Sequence, residues 1–232
     1  PRFAPDGNSV AYNRDGRQIR VVDIASGDDR LVAEGQLWVY PFTLTEPLVW
    51  SPDGEWLAWL ATDERMFSNV WIAPAAGGEA RRASGLAKSF AGSIAWSPDG
   101  EFIAFDVTED RTVFVHVSKA DGSEPRRLAE GMLPCWTVDG RAILFNQGQL
   151  PTIATMDVDS GNSRLLVPES AGEPSRQQMF EYLFCLSPAV SPDGARILFT
   201  KMSAAQSGDR SGMSQEIWTM AANGGDRRRV TR

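Results

Sequence analysis

A five-residue turn recurs five times along this 232-residue chain, each time just ahead of an apolar run. Its copies read Phe3-Ala4-Pro5-Asp6-Gly7, Trp50-Ser51-Pro52-Asp53-Gly54, Trp96-Ser97-Pro98-Asp99-Gly100, Trp136-Thr137-Val138-Asp139-Gly140 and Val190-Ser191-Pro192-Asp193-Gly194. Proline pre-sets φ for the second turn position, Asp bonds the local backbone, and Gly accepts a positive φ. The flanking residues are strong β-formers, so each copy predicts a hairpin joining two strands. The turn aspartates Asp6, Asp53, Asp99, Asp139 and Asp193 stand 47, 46, 40 and 54 residues apart. A period in the forties with several strands per unit is the signature of propeller blades.

The order within each unit predicts four strands. A short inner strand, the Asp-Gly turn and an apolar second strand come first. A third strand, a glycine hairpin and a fourth strand that begins on arginine follow. The third strands are expected at Gln18–Val22, Asn69–Ile72, Phe114–Val117, Thr152–Met156 and Glu216–Met220. Hairpins at Gly27, Gly77, Gly122, Gly161 and Gly224 lead to fourth strands marked by Arg30, Arg81, Arg126, Arg164 and Arg228. The prediction is an all-β fold: a β-propeller of four-stranded antiparallel blades. Five repeats are visible, and they run from end to end, so residues 1–232 are read as a single propeller domain. The longest stretches outside the strand pattern are 36–47, 168–187 and 201–215, with one or two helical turns allowed at 175–182.

With 42% hydrophobic residues a chain of this length can bury a substantial core. A net charge of −7 argues against a phosphate-binding surface, so no nucleic-acid partner is expected. No apolar run approaches the roughly 20 residues of a membrane span, and no membrane insertion is expected. Pro1 is not an initiator methionine, and it stands at the end of a strand, so a processed or excised chain is expected. Cys135 and Cys185 belong to no metal motif; they read as two small buried thiols, with one bridge between them as the alternative.

These residues resemble a known repeat. The W-S-P-D-G turn, the Ile-Ala-Phe-like second strand, the Ile-Trp third strand with its hairpin and the Arg-Arg-Leu-Thr-like fourth strand resemble the TolB-type propeller repeat. The same repeat occurs in the propeller domains of tricorn-like and prolyl-oligopeptidase-like peptidases. The resemblance covers essentially the whole chain. Thr137-Val138 departs from the usual Ser-Pro, and family members commonly close six blades where five are visible here. Either the ring is five-bladed or a sixth blade lies outside this sequence. The resemblance to TolB implies a periplasmic or otherwise extracytoplasmic setting; the resemblance to peptidases leaves the cytoplasm open.

The chemistry-bearing residues read mostly as structure. Five turn carboxylates could form a cation ring, but each is expected to be consumed by its own turn, so Asp6, Asp53, Asp99, Asp139 and Asp193 are structural and no metal is expected. His116 is the only histidine, and it occupies the position that Trp71 and Trp218 fill in two other repeats. It is therefore expected to pack rather than to catalyse, and no G-x-S-x-G elbow supplies a nucleophile. The inner strands are nearly all apolar, which argues against metal chemistry in a channel. Asp157–Asn162 imitates the start of a calcium loop without its distant Glu and reads as a hairpin. Arg227, Arg228 and Arg229 read as edge-strand protection. No catalytic residue and no cofactor are expected.

One set survives. The segments that join a fourth strand to the next inner strand carry Trp38, Tyr40, Phe42, Phe90, Phe180, Tyr182 and Phe184. Aromatic side chains bury large areas at recognition surfaces, so this loop face is the candidate binding site, with local packing at the channel mouth as the alternative. The expected function is a non-catalytic scaffold for a protein or peptide. The alternative is a substrate-filtering or docking propeller of a peptidase whose catalytic domain is not in this chain.

Overall fold

The computed structural model describes residues 1–34, 48–62, 67–83, 90–147, 152–166, 185–204 and 213–231. Among these every regular element is a strand. Blade 1 consists of β1 (Arg2–Phe3), β2 (Ser9–Arg14), β3 (Gln18–Asp23) and β4 (Asp29–Glu34). Blade 2 holds β5 (Leu48–Trp50), β6 (Trp56–Thr62), β7 (Ser68–Pro74) and β8 (Arg81–Arg82). Blade 3 holds β9 (Phe90–Trp96), β10 (Phe102–Glu109), β11 (Thr112–Lys119) and β12 (Arg126–Glu130). Blade 4 holds β13 (Met132–Trp136), β14 (Ala142–Gln147), β15 (Thr152–Asp157) and β16 (Ser163–Leu165). Blade 5 holds β17 (Cys185–Val190), β18 (Arg196–Ala204), β19 (Met213–Ala221) and β20 (Arg228–Arg229). Each blade is a four-stranded antiparallel meander of consecutive strands, and one parallel bridge, Ser68 with Phe90, links blade 2 to blade 3. All five third strands fall where the sequence predicts them, most extending a residue or two beyond the expected ends.

The chain divides into two compact units, Pro1–Met132 and Leu133–Arg232. In the first, the alternation of side chains gives each blade two apolar faces. Ala11, Ile19, Val21 and Val32 of blade 1 pack on Leu57, Trp59, Ala61 and Ala73 of blade 2. The other face of blade 2, with Ala58, Leu60, Val70 and Ile72, packs on Ile103, Phe105 and Val107 of blade 3. The second unit repeats the arrangement: Leu144, Ile153 and Leu166 of blade 4 cover Ile197, Phe199 and Met220 of blade 5. We call the face that receives the next blade the forward face and its opposite the backward face. The backward face carries an aliphatic and an aromatic residue two apart on the second strand, as in Ile103 and Phe105 or Ile197 and Phe199.

Close approach of backbones fixes the spacing between blades. A Cβ at Gly122 would lie 2.8 Å from Cα of Ala83 and 2.9 Å from the carbonyl oxygens of Ala83 and Arg82. A Cβ at Gly224 would lie 2.7 Å from the carbonyl oxygen of Leu166. Both glycines also hold a positive φ, 82° and 90°. Only glycine satisfies both demands.

Candidate functional site

The conserved geometry of the Asp-Gly turns comes from a short polar relay. In the turn of blade 3, Gly100 N–H donates to the Ser97 carbonyl at 3.0 Å, closing the turn. Ser97 Oγ donates to Asp99 Oδ1 at 2.5 Å, and Glu101 N–H donates to the same oxygen at 2.9 Å. Phe102 N–H in turn donates to Ser97 Oγ at 2.9 Å. Blade 5 repeats this with Ser191, Asp193, Ala195 and Arg196. Blade 2 does so with Ser51, Asp53, Glu55 and Trp56. In blade 4 Thr137 replaces serine, and its Oγ1 donates to Asp139 Oδ1 at 2.7 Å. Blade 1 has Ala4 instead, so Asp6 accepts from Asn8 N–H and Nδ2. The hydroxyl partner, then the backbone amide, holds the carboxyls of Asp53, Asp139 and Asp193 below the usual aspartate range. The expectation named backbone donors alone; the neighbouring hydroxyl is an equal member of each relay, and the serine or threonine two residues before Asp is its sequence signal.

The calcium-like segment is the β15–β16 hairpin. Asp157 Oδ1 accepts from Ser160 N–H at 2.8 Å and from Ser160 Oγ at 2.7 Å. Asp23 makes the same pattern with Ser26 in blade 1. Among the described residues no three His, Cys, Asp or Glu side chains gather as a metal set.

His116 lies in the middle of β11 and is buried. Its ring stacks on Phe105 across the β10–β11 ladder, with centroids 5.7 Å apart and planes 16° apart. The same cross-strand position pairs Trp59 with Trp71 in blade 2 and Phe199 with Trp218 in blade 5. Nε2 stands 2.9 Å from Glu109 Oε1, a paired-charge distance, but it lacks the alignment of a hydrogen bond. Arg127 lies 3.6 Å from the same carboxylate and stacks over Phe114. Burial is the largest influence on the imidazole and pushes its pKa below the usual histidine value; Glu109 opposes this and Arg127 adds to it. Glu109 was not legible as a partner, because it closes the far end of the hairpin.

A second buried polar group was also missed. Asp106 on β10 accepts from Gly92 N–H at 2.9 Å and from Ser93 Oγ at 2.5 Å, beside an irregularity in the β9–β10 register. A Cβ at Gly92 would lie 2.6 Å from Asp106 Oδ1, so glycine makes room for the carboxylate. The available signal is positional: Asn13, Asn146 and Thr200 follow the second-strand aromatic in other blades as Asp106 does here.

The arginine run is committed to the fold. Arg227 donates to the Leu166 and Gly224 carbonyls, Arg228 pairs with Asp226 at 2.8 Å, and Arg229 pairs with Glu216 at 2.8 Å. Cys135 is a free thiol, its pKa raised by burial. On the turn side of blades 2 and 3, Trp56, Arg81, Phe102 and Lys119 border a cleft of about 370 Å³. A similar cleft of about 470 Å³ lies between blades 4 and 5, beside Val138, Arg164 and Val190.

The expectation that Phe90 lies in a connecting loop is corrected: it is the first residue of β9, where its backbone pairs with Ser68 and Thr108. Trp38, Tyr40, Phe42, Phe180, Tyr182 and Phe184 lie outside the described residues.

No protein-family model matches the chain, and no curated protein does. Solved structures do. A putative TolB from Agrobacterium tumefaciens superimposes with a TM-score of 0.70 at 21% identity, over 99% of this chain and 78% of that one. An oligogalacturonate lyase in complex with manganese gives 0.66 at 18%, over 99% of this chain and 63% of that one. Two peptidases complete the picture. The tricorn protease gives 0.54 at 13% identity and a prolyl endopeptidase 0.64 at 14%. They align with 98% and 100% of this chain, which spans 21% and 34% of theirs. At such identities the likeness concerns architecture, and enzymes share it with TolB. The chain has the TolB-like β-propeller fold.

Proposed function

We propose that this chain is a non-catalytic binding module: a TolB-like propeller whose connecting loops engage a protein or peptide in a periplasmic or otherwise extracytoplasmic setting. One observation carries the reading. Among the described residues, the polar groups singled out for a chemical role are engaged by the fold: the turn carboxylates by their own turns, His116 by the blade packing, the arginine run by Asp226, Glu216 and backbone carbonyls. What the sequence leaves outside the strand pattern is the aromatic set Trp38, Tyr40, Phe42, Phe180, Tyr182 and Phe184, with Phe90 at the first position of β9 beside it. Fold likeness alone does not assign the role, since the same architecture serves enzymes.

The test is a titration of candidate protein and peptide partners with Trp38→Ala and Tyr182→Ala, beside Glu79→Ala on the exposed β7–β8 hairpin. Losing an interface aromatic costs about 2 kcal/mol or more, so affinity falls more than tenfold for the first two and stays unchanged for the third. Folded aromatic variants that bind like the parent while Glu79→Ala weakens binding would overturn the choice of face. The likeness to the two peptidases favours a second reading, a propeller that filters or docks substrate for a separate catalytic domain. Both readings leave the chain without hydrolytic activity of its own. A robust hydrolytic rate lost in a well-folded His116→Tyr variant contradicts them both.

A further inference from the structure

We infer that the cleft between blades 2 and 3 binds a small zwitterion, an unblocked amino acid or dipeptide with an apolar side chain, between the guanidinium of Arg81 and the carboxylate of Glu101. The fourth strands of blades 1, 2 and 4 carry an arginine at one equivalent position: Arg30 pairs with Val21, Arg81 with Ile72 and Arg164 with Thr155. Two of these side chains reach the hairpin of the next blade. Arg30 Nε donates to the Ala75 carbonyl at 3.0 Å, and Arg164 Nη1 donates to the Asn223 carbonyl at 3.1 Å. Arg81 does not. Its guanidinium lies over the Trp56 ring, 5.2 Å from the centroid, and has no hydrogen-bond or ion-pair partner among the described residues. Trp56 is the cause. It opens the second strand of its blade, where blades 1 and 4 have Ser9 and Ala142, and neither of those offers a ring. Held over the indole, the guanidinium keeps its donors available, and their fork matches a carboxylate.

Trp56, Ile72, Arg81, Glu101 and Phe102 border the cleft, which measures about 370 Å³. That is near the lower end of ligand pockets, roughly 300–1,000 Å³, so the occupant is a small molecule rather than a docked chain. The other charges at its edge are engaged. Asp53 accepts from the Ser51 hydroxyl and the Glu55 amide, Asp121 accepts from the Ser123 amide, and Lys119 pairs with Glu124. Glu101 is exposed, and its carboxylate has no hydrogen-bond or ion-pair partner among the described residues. One cation and one carboxylate therefore stand unpaired at the same cleft, and Trp56, Ile72 and Phe102 add apolar surface. A lone anion would meet Glu101 and Asp121, and a lone cation would meet Arg81. A ligand that carries both charges complements both walls. An amino acid or free dipeptide brings a carboxylate for Arg81, an ammonium for Glu101 and a side chain for the apolar surface. The cleft between blades 4 and 5 is different, because its arginine, Arg164, is already bound across to blade 5. The site uses none of the aromatic set of the connecting segments, so it stands or falls apart from the binding role proposed above.

Calorimetric titration of the purified chain tests this with leucine and leucyl-leucine, each also in its N-acetyl and C-amide forms. One or both of the free forms bind saturably, and the tighter of the two names the occupant. Amidation removes the carboxylate and weakens binding about tenfold or more, as does acetylation of the amine. Arg81→Gln weakens the free form by a similar factor and leaves the amide no weaker than before, because both changes remove one contact. Glu101→Gln stands in the same relation to the acetylated form. Trp56→Ser, which copies blade 1, releases Arg81 toward the blade 3 hairpin and weakens binding as well. Circular dichroism checks that each variant is folded; Arg81 and Glu101 are exposed, so their variants keep the test intact if Trp56→Ser is unstable. The inference is overturned if neither free form binds at millimolar concentration. It is overturned equally if Arg81→Gln and Glu101→Gln bind like the parent, or if the blocked forms bind as tightly as the free ones.

Discussion

Blades 4 and 5 present the same aliphatic triad at the same positions, and one is core while the other is surface. Leu144, Ile153 and Leu166 are at most 2% exposed, whereas Leu198, Ile217 and Val230 are 40% exposed or more. Local sequence does not distinguish them: in both triads two residues sit on paired antiparallel strands and the third just follows the fourth strand, within one unit. The difference is the presence of a neighbour. In a repeat fold, burial belongs to the junction between units rather than to the unit, so the stabilising value of a residue is set by what stacks on it.

The contrast predicts effects of graded size. The largest is at a glycine junction. Gly122→Ala forces a side chain against the Ala83 and Arg82 backbone and into a left-handed conformation, at a cost of about 4 kcal/mol. Gly27→Ala, with nothing within 4 Å, bears the conformational part alone, about 1–2 kcal/mol. Equal losses in chemical denaturation would show that the close approach carries no weight. Next comes one substitution at two equivalent sites. Ile153→Ala destabilises by about 3 kcal/mol through lost burial and a cavity, while Ile217→Ala costs less than about 1 kcal/mol. Comparable values at both would erase the distinction between the blades. Removing a relay hydroxyl is smaller again: Ser97→Ala leaves Asp99 with the Glu101 amide and costs about 1 kcal/mol, read as a drop in the denaturation midpoint.

The smallest effect concerns pH. His116 has a depressed pKa in the fold, so between that value and the ordinary histidine value of about 6.5 the unfolded chain binds more protons than the folded one. Stability therefore rises with pH across this window and declines on acidification below about 6.5. The aspartates Asp53, Asp139 and Asp193 act lower: their contribution is complete above about pH 4 and is lost as pH falls through their depressed values. A His116→Tyr variant should fold and show a flatter melting temperature between neutral and mildly acidic pH. An unchanged slope would place the titrating group elsewhere.

Much of the architecture was legible because its signals are local. Proline, Asp and Gly specify a turn within five residues, and the near-continuous apolar runs of β6, β10 and β14 specify strands buried on both faces. His116 could be placed as packing because its distance from Gly122 matches that of Trp71 from Gly77. What was not legible depends on partners distant in sequence. Nothing near His116 announces Glu109, and nothing in Leu198 announces that it differs from Leu144. The commitment of Arg227 to the Leu166 carbonyl, 61 residues away, is likewise invisible before the blades are stacked. The candidate recognition aromatics rest on sequence: Phe90 belongs to β9, and the other six lie outside the described residues.

The glycine approaches between blades have a consequence for how such a chain grows. Gly122 abuts the backbone of Arg82 and Ala83, Gly224 that of Leu166, and Gly77 the carbonyl of Leu31. In each case the atoms met are main-chain atoms, which are the same whatever residue stands there. A duplicated blade that keeps such a hairpin glycine meets main-chain atoms again, so its spacing on that side fits at the moment of copying. Side-chain packing can then diverge, blade by blade, without disturbing the pitch. Gene duplication needs no compensating substitution at such a joint, and the joint is indifferent to ancestry.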